Sequence, residues 1–78
     1  MKTYDYNKVY NDTLEYFNGD ELATNVWITK YCHTEVDENG NTIYYENTPK
    51  DMFKRIAKEI SHNILYYHFH LPLYDNTL

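Results

Sequence analysis

At 78 residues the chain has room for one domain, and a chain of this size buries only about 60% of the surface that its unfolded form exposes. Twelve acidic against 7 basic side chains, a formal net charge of -5, argue against general affinity for nucleic acid or anionic membrane, and a single cysteine, Cys32, excludes an internal disulfide. No apolar run approaches the roughly 18 residues of a membrane span, and the opening MKTYDYNKVYND lacks the apolar centre of a signal peptide, so a cytoplasmic location is expected.

In chain order, Tyr6, Val9, Tyr10, Thr13, Leu14 and Phe17 keep a loose helical period, and Asn18-Gly19 is the residue pair that most readily ends a helix. Asp20 caps a second helix running to about Tyr31, with Leu22, Ala23, Val26, Trp27 and Tyr31 as its apolar stripe. Its β-branched residues Thr24, Val26, Ile28 and Thr29 weaken intrinsic helix propensity by a few tenths of a kcal/mol each. Packing has to hold it, and Trp27 is the natural anchor.

Asn39-Gly40 then predicts a hairpin with a two-residue type I′ loop. That register pairs Val36 with Ile43 and Thr34 with Tyr45 on a core-facing side, and Glu35 with Tyr44 and His33 with Glu46 on the other. The clearest element follows over Thr48–Ile64. Thr48 is the N-cap, Pro49 takes the first helical position and Asp51 favours the positive end of the helix dipole. Met52, Phe53, Ile56, Ala57, Ile60 and Ile64 gather on one face, which needs a partner to bury it. Leu65, Tyr67, Phe69, Leu71 and Leu73 alternate like a strand, although Ile60, Ile64 and Leu65 also allow the helix to continue. Residues 61–78 are therefore an open tail of a single α+β unit, mainly helical, with two or three helices and one β-hairpin. Ten tyrosines, three phenylalanines and one tryptophan exceed what so small a fold can cover, and the apolar tail adds to them. The chain is expected to pack on something beyond itself.

Few residues combine into chemistry. Cys32, His33, His62, His68 and His70 are of zinc-ligand type, but they form no C-x-x-C or H-x-x-x-H pair, so ordinary histidines are the better reading and no metal ligand is assigned. Cys32 and His33 as nucleophile and base are neighbours that point apart on a strand, with no third group to orient the base. Glu35 and Glu46 could act as acid and base only in a pocket that nothing in the sequence predicts. Lys50, Lys54 and Lys58 line up at i,i+4 spacing. They read first as a solvated face eased by an Asp51–Arg55 pair, and second as a ridge for an acidic partner or a phosphate. No catalytic or cofactor-binding residue is assigned.

Two stretches carry a resemblance: YFNGDELATNVWITKY, Tyr16 to Tyr31, and ENGNTIYYENTPKDMFKRIAKEI, Glu38 to Ile60. They resemble the N-terminal segment of the large, catalytic chain of ribonucleotide reductases, most closely the adenosylcobalamin (vitamin B12)-dependent kind. The matching residues are Gly19, Asp20, Glu21, Leu22, Ala23, Asn25, Val26, Lys30 and Tyr31, then Asn39, Gly40, Thr48, Pro49, Asp51, Met52, Arg55, Ala57 and Glu59. The second phrase is shared with oxygen-dependent reductases, so the cobalamin assignment rests on the first. After Ile60 the sequence departs from the family's more charged continuation.

The resemblance implies a helical shoulder that packs against an α/β barrel, chiefly through the Thr48 helix. In that family the radical cysteine, the reducing cysteine pair and the nucleotide and cobalamin sites lie downstream, in the barrel. This segment would then belong to an enzyme that makes deoxyribonucleotides for DNA synthesis without supplying a catalytic residue, with the barrel, in the same or a second chain, as its partner. The alternative is a free-standing interaction module that binds an acidic partner or dimerises.

Overall fold

Aspartates open the first two helices. In the computed structural model, which describes residues 1–70 and side chains through Ser61, Asp5 accepts from the Lys8 N–H at 2.9 Å and starts α1, Tyr6–Tyr16. Asp20 accepts from the Ala23 N–H at 3.0 Å and starts α2, Glu21–Lys30. Each side chain satisfies one of the backbone donors that a helix start leaves unpaired. Between them the Asn18-Gly19 stop forms as expected. Gly19 N–H donates to Leu14 O at 2.8 Å and Asn18 N–H to Glu15 O at 3.0 Å, with both residues at positive φ. This is the Schellman arrangement.

A hairpin of β1, Thr34–Val36, and β2, Thr42–Tyr44, leads into α3, Pro49–His70. The expected small α+β unit is thus present among the described residues, with three helices and one hairpin where two or three helices are expected. Its register differs from expectation by one residue: Thr34 pairs with Tyr44, Glu35 with Ile43 and Val36 with Thr42. The cause is Asp37, whose Oδ1 accepts from both Asn39 N and Asn41 N at 2.9 Å, while Gly40 N–H donates to Asp37 O at 3.0 Å. Asp at the first and Gly at the last position build a type I turn, and Gly40 at φ +85° completes a three-residue loop. The slip carries Ile43 and Tyr45 to the outer side and turns Tyr44 inward. Tyr4 N–H donates to Tyr44 O at 2.9 Å, so the N-terminal residues add a bridge on the far side of β2.

The core is Val9, Trp27, Ile28 and Cys32, with Tyr4, Tyr10, Phe17, Tyr44 and Met52 packed around it. Trp27 is the anchor, as expected. The stripe of α2 is not: Thr24, Trp27 and Ile28 are the buried residues, and Leu22, Val26 and Tyr31 are exposed. Thr24 can face inward because its hydroxyl donates to Asp20 O at 2.8 Å, which removes the penalty of burying it. Thr13 is buried on the same terms, donating to Asn47 O at 2.9 Å.

The third helix starts as its sequence dictates. Thr48 Oγ1 accepts from Lys50 N at 3.2 Å, and Asp51 Oδ2 accepts from Asn47 N at 3.0 Å. Its 22 residues span about 33 Å. The helix runs through His70, so the strand-like alternation at Leu65, Tyr67 and Phe69 is overridden by continuation of the helix; Leu71 and Leu73 lie outside the described residues. Pro49 is buried and Met52 half-buried against the body, whereas Phe53, Ile56, Ala57 and Ile60 are exposed. The face for which the sequence demands a cover has none within the described residues, because the body ends beside the first turns of α3. No described helix is long and apolar enough to cross a membrane.

Candidate functional site

Glu46 follows β2 and is 4% exposed. One carboxylate oxygen accepts from His33 N at 2.9 Å, and the other from Arg55 Nε at 2.7 Å. A buried carboxylate persists only when paired and hydrogen-bonded, and here the residues that pair it come from just before β1 and from α3. The Glu46 backbone oxygen also accepts from the Cys32 thiol at 3.4 Å. Hairpin, α2 exit and α3 are thereby tied at one point. The Asp51–Arg55 pair expected from spacing does not form, because Asp51 is used at the helix start and Arg55 turns to Glu46.

A second junction centres on Asn47. Its amide nitrogen donates to Asp12 Oδ2 at 2.7 Å, and Lys8 Nζ donates to the same oxygen at 2.7 Å. Asp12 is held below the usual carboxylate range first by the Asn47 hydrogen bond and then by Lys8. Asn47 Oδ1 is buried with no hydrogen-bond partner among the described residues.

An apolar groove of about 360 Å³ lies between α2 and α3. Ala23, Val26 and Trp27 form the α2 wall, with Tyr31 beyond them. Pro49, Met52 and Phe53 form the α3 wall, and Tyr16 and Phe17 close the end. Trp27 Nε1–H is directed at Met52 Sδ, 3.3 Å away. Of the residues that the sequence assigns to the stripe of α2, Ala23, Val26 and Tyr31 thus line a groove, and Trp27 both lines it and fills the core.

The sequence's chemical candidates do not converge. Cys32 is buried, and burial, followed by the neighbouring Glu46 charge, pushes its thiol up to about 11. It stays protonated at neutral pH and is a poor nucleophile. The His33 and Tyr45 rings meet at a tilt of 44° with centroids 5.1 Å apart, and among the described residues no third group orients His33 toward the thiol. Glu35 is exposed and accepts from the Tyr45 hydroxyl at 2.8 Å, while Glu46 is consumed by Arg55 and His33. Among the described residues no three His, Cys, Asp or Glu stand together as a metal site would need; the side chains of His62, His68 and His70 lie outside them. Lys50, Lys54 and Lys58 are all exposed on α3.

Sequence reasoning missed the burial of Glu46 and the groove. The signal for Glu46 was its place, two residues before the Thr48 cap and nine before Arg55, which brings hairpin exit and second helical turn together. Compared with protein-family models, curated proteins and solved structures, the chain matches none.

Proposed function

We propose that this chain serves as the N-terminal segment of a ribonucleotide reductase large chain, of the adenosylcobalamin-dependent kind, and supports that enzyme by packing against its catalytic barrel. The observation that carries the reading is the uncovered apolar face of α3, where Phe53 and Ile60 are 54% and 52% exposed. A face of this kind beside a closed, small core marks a surface built to be covered by further protein. The matching stretches are Tyr16 to Tyr31 and Glu38 to Ile60, and the second includes the turns of α3 that present it. In this reading the reduction of the ribose 2′-hydroxyl belongs to the barrel, which also holds the cobalamin. This chain contributes position and cover. A cytoplasmic location goes with it, and suits a chain whose single thiol is kept reduced.

The test is complementation. A cobalamin-dependent reductase barrel lacking its own matching segment is supplied with this chain, in trans or fused, and ribonucleotide reduction is measured with adenosylcobalamin. The reading expects activity and co-purification, both lost when Phe53, Ile56 and Ile60 are changed to Asp. A barrel indifferent to the chain would sink it.

The second reading, a free-standing interaction module, is favoured by one observation: Val9, Trp27, Ile28 and Cys32 close a core without help from the outer turns of α3. Cooperative thermal unfolding of the isolated chain is its expected behaviour. A broad, non-cooperative melt counts against it.

A further inference from the structure

Both glycines of the chain follow asparagine, in Asn18-Gly19 and Asn39-Gly40. A glycine nitrogen is the backbone amide best able to close on the side chain of the residue before it, because no Cβ hinders the approach. Sequence makes the two pairs equivalent, and the fold does not. All four residues are exposed. Asn18 sits at φ 57° in the corner between α1 and α2, and Gly19 N–H donates to Leu14 O at 2.8 Å. Phe17 before it packs on the core and Asp20 after it starts α2, so freeing the Gly19 nitrogen means moving the two helices that carry Val9 and Trp27. Asn39 lies at the tip of a hairpin whose strands have three residues each. Gly40 N–H donates to Asp37 O at 3.0 Å, within the loop itself, and every residue from Glu38 to Asn41 is exposed. Opening this loop breaks its own hydrogen bonds and no core contact.

We infer that Asn39 is a site of spontaneous covalent modification, and that the fold protects Asn18 from the same reaction. When the loop opens, the Gly40 nitrogen attacks Asn39 Cγ and a carbon–nitrogen bond forms. The Gly40 amide proton passes through water to the departing side-chain nitrogen, whose bond to Cγ breaks with release of ammonia. The product is a cyclic succinimide. Water then adds to either carbonyl carbon and opens the ring, leaving aspartate or, where the backbone carbonyl is attacked, isoaspartate. Each product adds a negative charge beside Asp37 and Glu38 in a chain already at -5. Isoaspartate also puts an extra carbon into the backbone of the loop. That draws Asn41 N away from Asp37 Oδ1, which holds it and Asn39 N at 2.9 Å, and loosens the Thr34–Tyr44 register. The inference does not depend on the reductase reading and holds whichever role the chain has.

The experiment ages the whole folded chain in mildly alkaline buffer and follows conversion of amide to acid by mass spectrometry with fragmentation. Trypsin cuts after Lys8, Lys30 and Lys50, so Asn18 and Asn39 fall on different peptides. The expected result is aspartate and isoaspartate at Asn39, formed at least about tenfold faster than at Asn18. In urea, where neither turn survives, Asn18 should accelerate until the two rates converge. Asp37→Ala removes two of the hydrogen bonds that close the loop and should speed Asn39 severalfold while Asn18 keeps its rate, with circular dichroism showing that the fold is retained. Equal rates at the two sites in the folded chain, or a faster one at Asn18, overturn the inference. So does an Asn39 that stays intact while the urea-unfolded chain reacts, a ratio of rates that urea leaves unchanged, or indifference of Asn39 to Asp37→Ala. Ribose reduction plays no part in this readout, so the reductase reading and the inference can each fail alone.

Discussion

Arg55 Nε lies 2.7 Å from Glu46 Oε2, joining the second turn of α3 to the exit of the hairpin. The carboxylate is nearly sealed, whereas the guanidinium side chain is 36% exposed. Removing the cation strands a buried charge. Arg55→Ala should therefore cost about 2–3 kcal/mol, below the ~3–5 kcal/mol of a fully buried pair because water still reaches the guanidinium. The double variant Glu46→Gln with Arg55→Ala should recover more than half of that loss. Urea unfolding of the two singles and the double, read as a mutant cycle, measures the coupling. Additive losses would show that the contact is not energetically joined.

Trp27 and Ile60 are both large and apolar, yet one is 3% and the other 52% exposed. Trp27→Ala should cost about 3–5 kcal/mol, enough to unfold a domain of this size. Ile60→Ser should stay within about 0.5 kcal/mol in the isolated chain. Thermal melts followed by circular dichroism separate the two. A large loss at Ile60 would mean that the outer face of α3 is covered by this chain itself.

The order of elements was legible because it is written in local chemistry: Asp20, Thr48 with Pro49, and Asn18-Gly19 each act within a turn of where they stand. What covers what was less legible. Thr24 and Leu22 exchange the places that hydropathy assigns them: the Thr24 hydroxyl finds the backbone carbonyl of Asp20 at the start of its own helix, while Leu22 is 75% exposed. Glu46 reads as one more acid at a strand end until Arg55 is brought to it by the fold. The groove could not be read at all, since its walls come from α1, α2 and α3 and exist only once Trp27 has drawn them together.

Cys32 predicts an alkaline limit. Its folded thiol sits at about 11, against an ordinary value of 9.0, so the folded state holds a proton that the unfolded chain releases earlier. The stabilisation is complete below about pH 9 and disappears as pH rises toward 11. The loss should amount to no more than about 2 kcal/mol, since the site retains some contact with solvent. Tyr44, raised by burial, titrates in the same direction, so the quantity to measure is the difference between the chain and Cys32→Ala. Unfolding free energies at pH 8, 9, 10 and 11 should fall more steeply in the parent. Parallel slopes would show that the thiol is not protected.

The hairpin offers the sharpest contrast between two readings of the same residues. In a type I′ loop Asn39 and Gly40 would both take positive φ, and replacing either would be costly. In the observed turn only Gly40 does, at φ +85°, while Asp37 Oδ1 accepts two backbone N–H groups at 2.9 Å. Gly40→Ala should then cost about 1 kcal/mol even though no atom lies within 4 Å of the added methyl, because the penalty is conformational. Asp37→Ala should cost about 1 kcal/mol through its lost hydrogen bonds, and Asn39→Ala close to nothing. Chemical denaturation of the three variants, together with cross-strand proton contacts between Thr34 and Tyr44, checks both energetics and register. A costly Asn39→Ala, or contacts running from Thr34 to Tyr45 instead, would restore the two-residue loop and return Ile43 to the inner side.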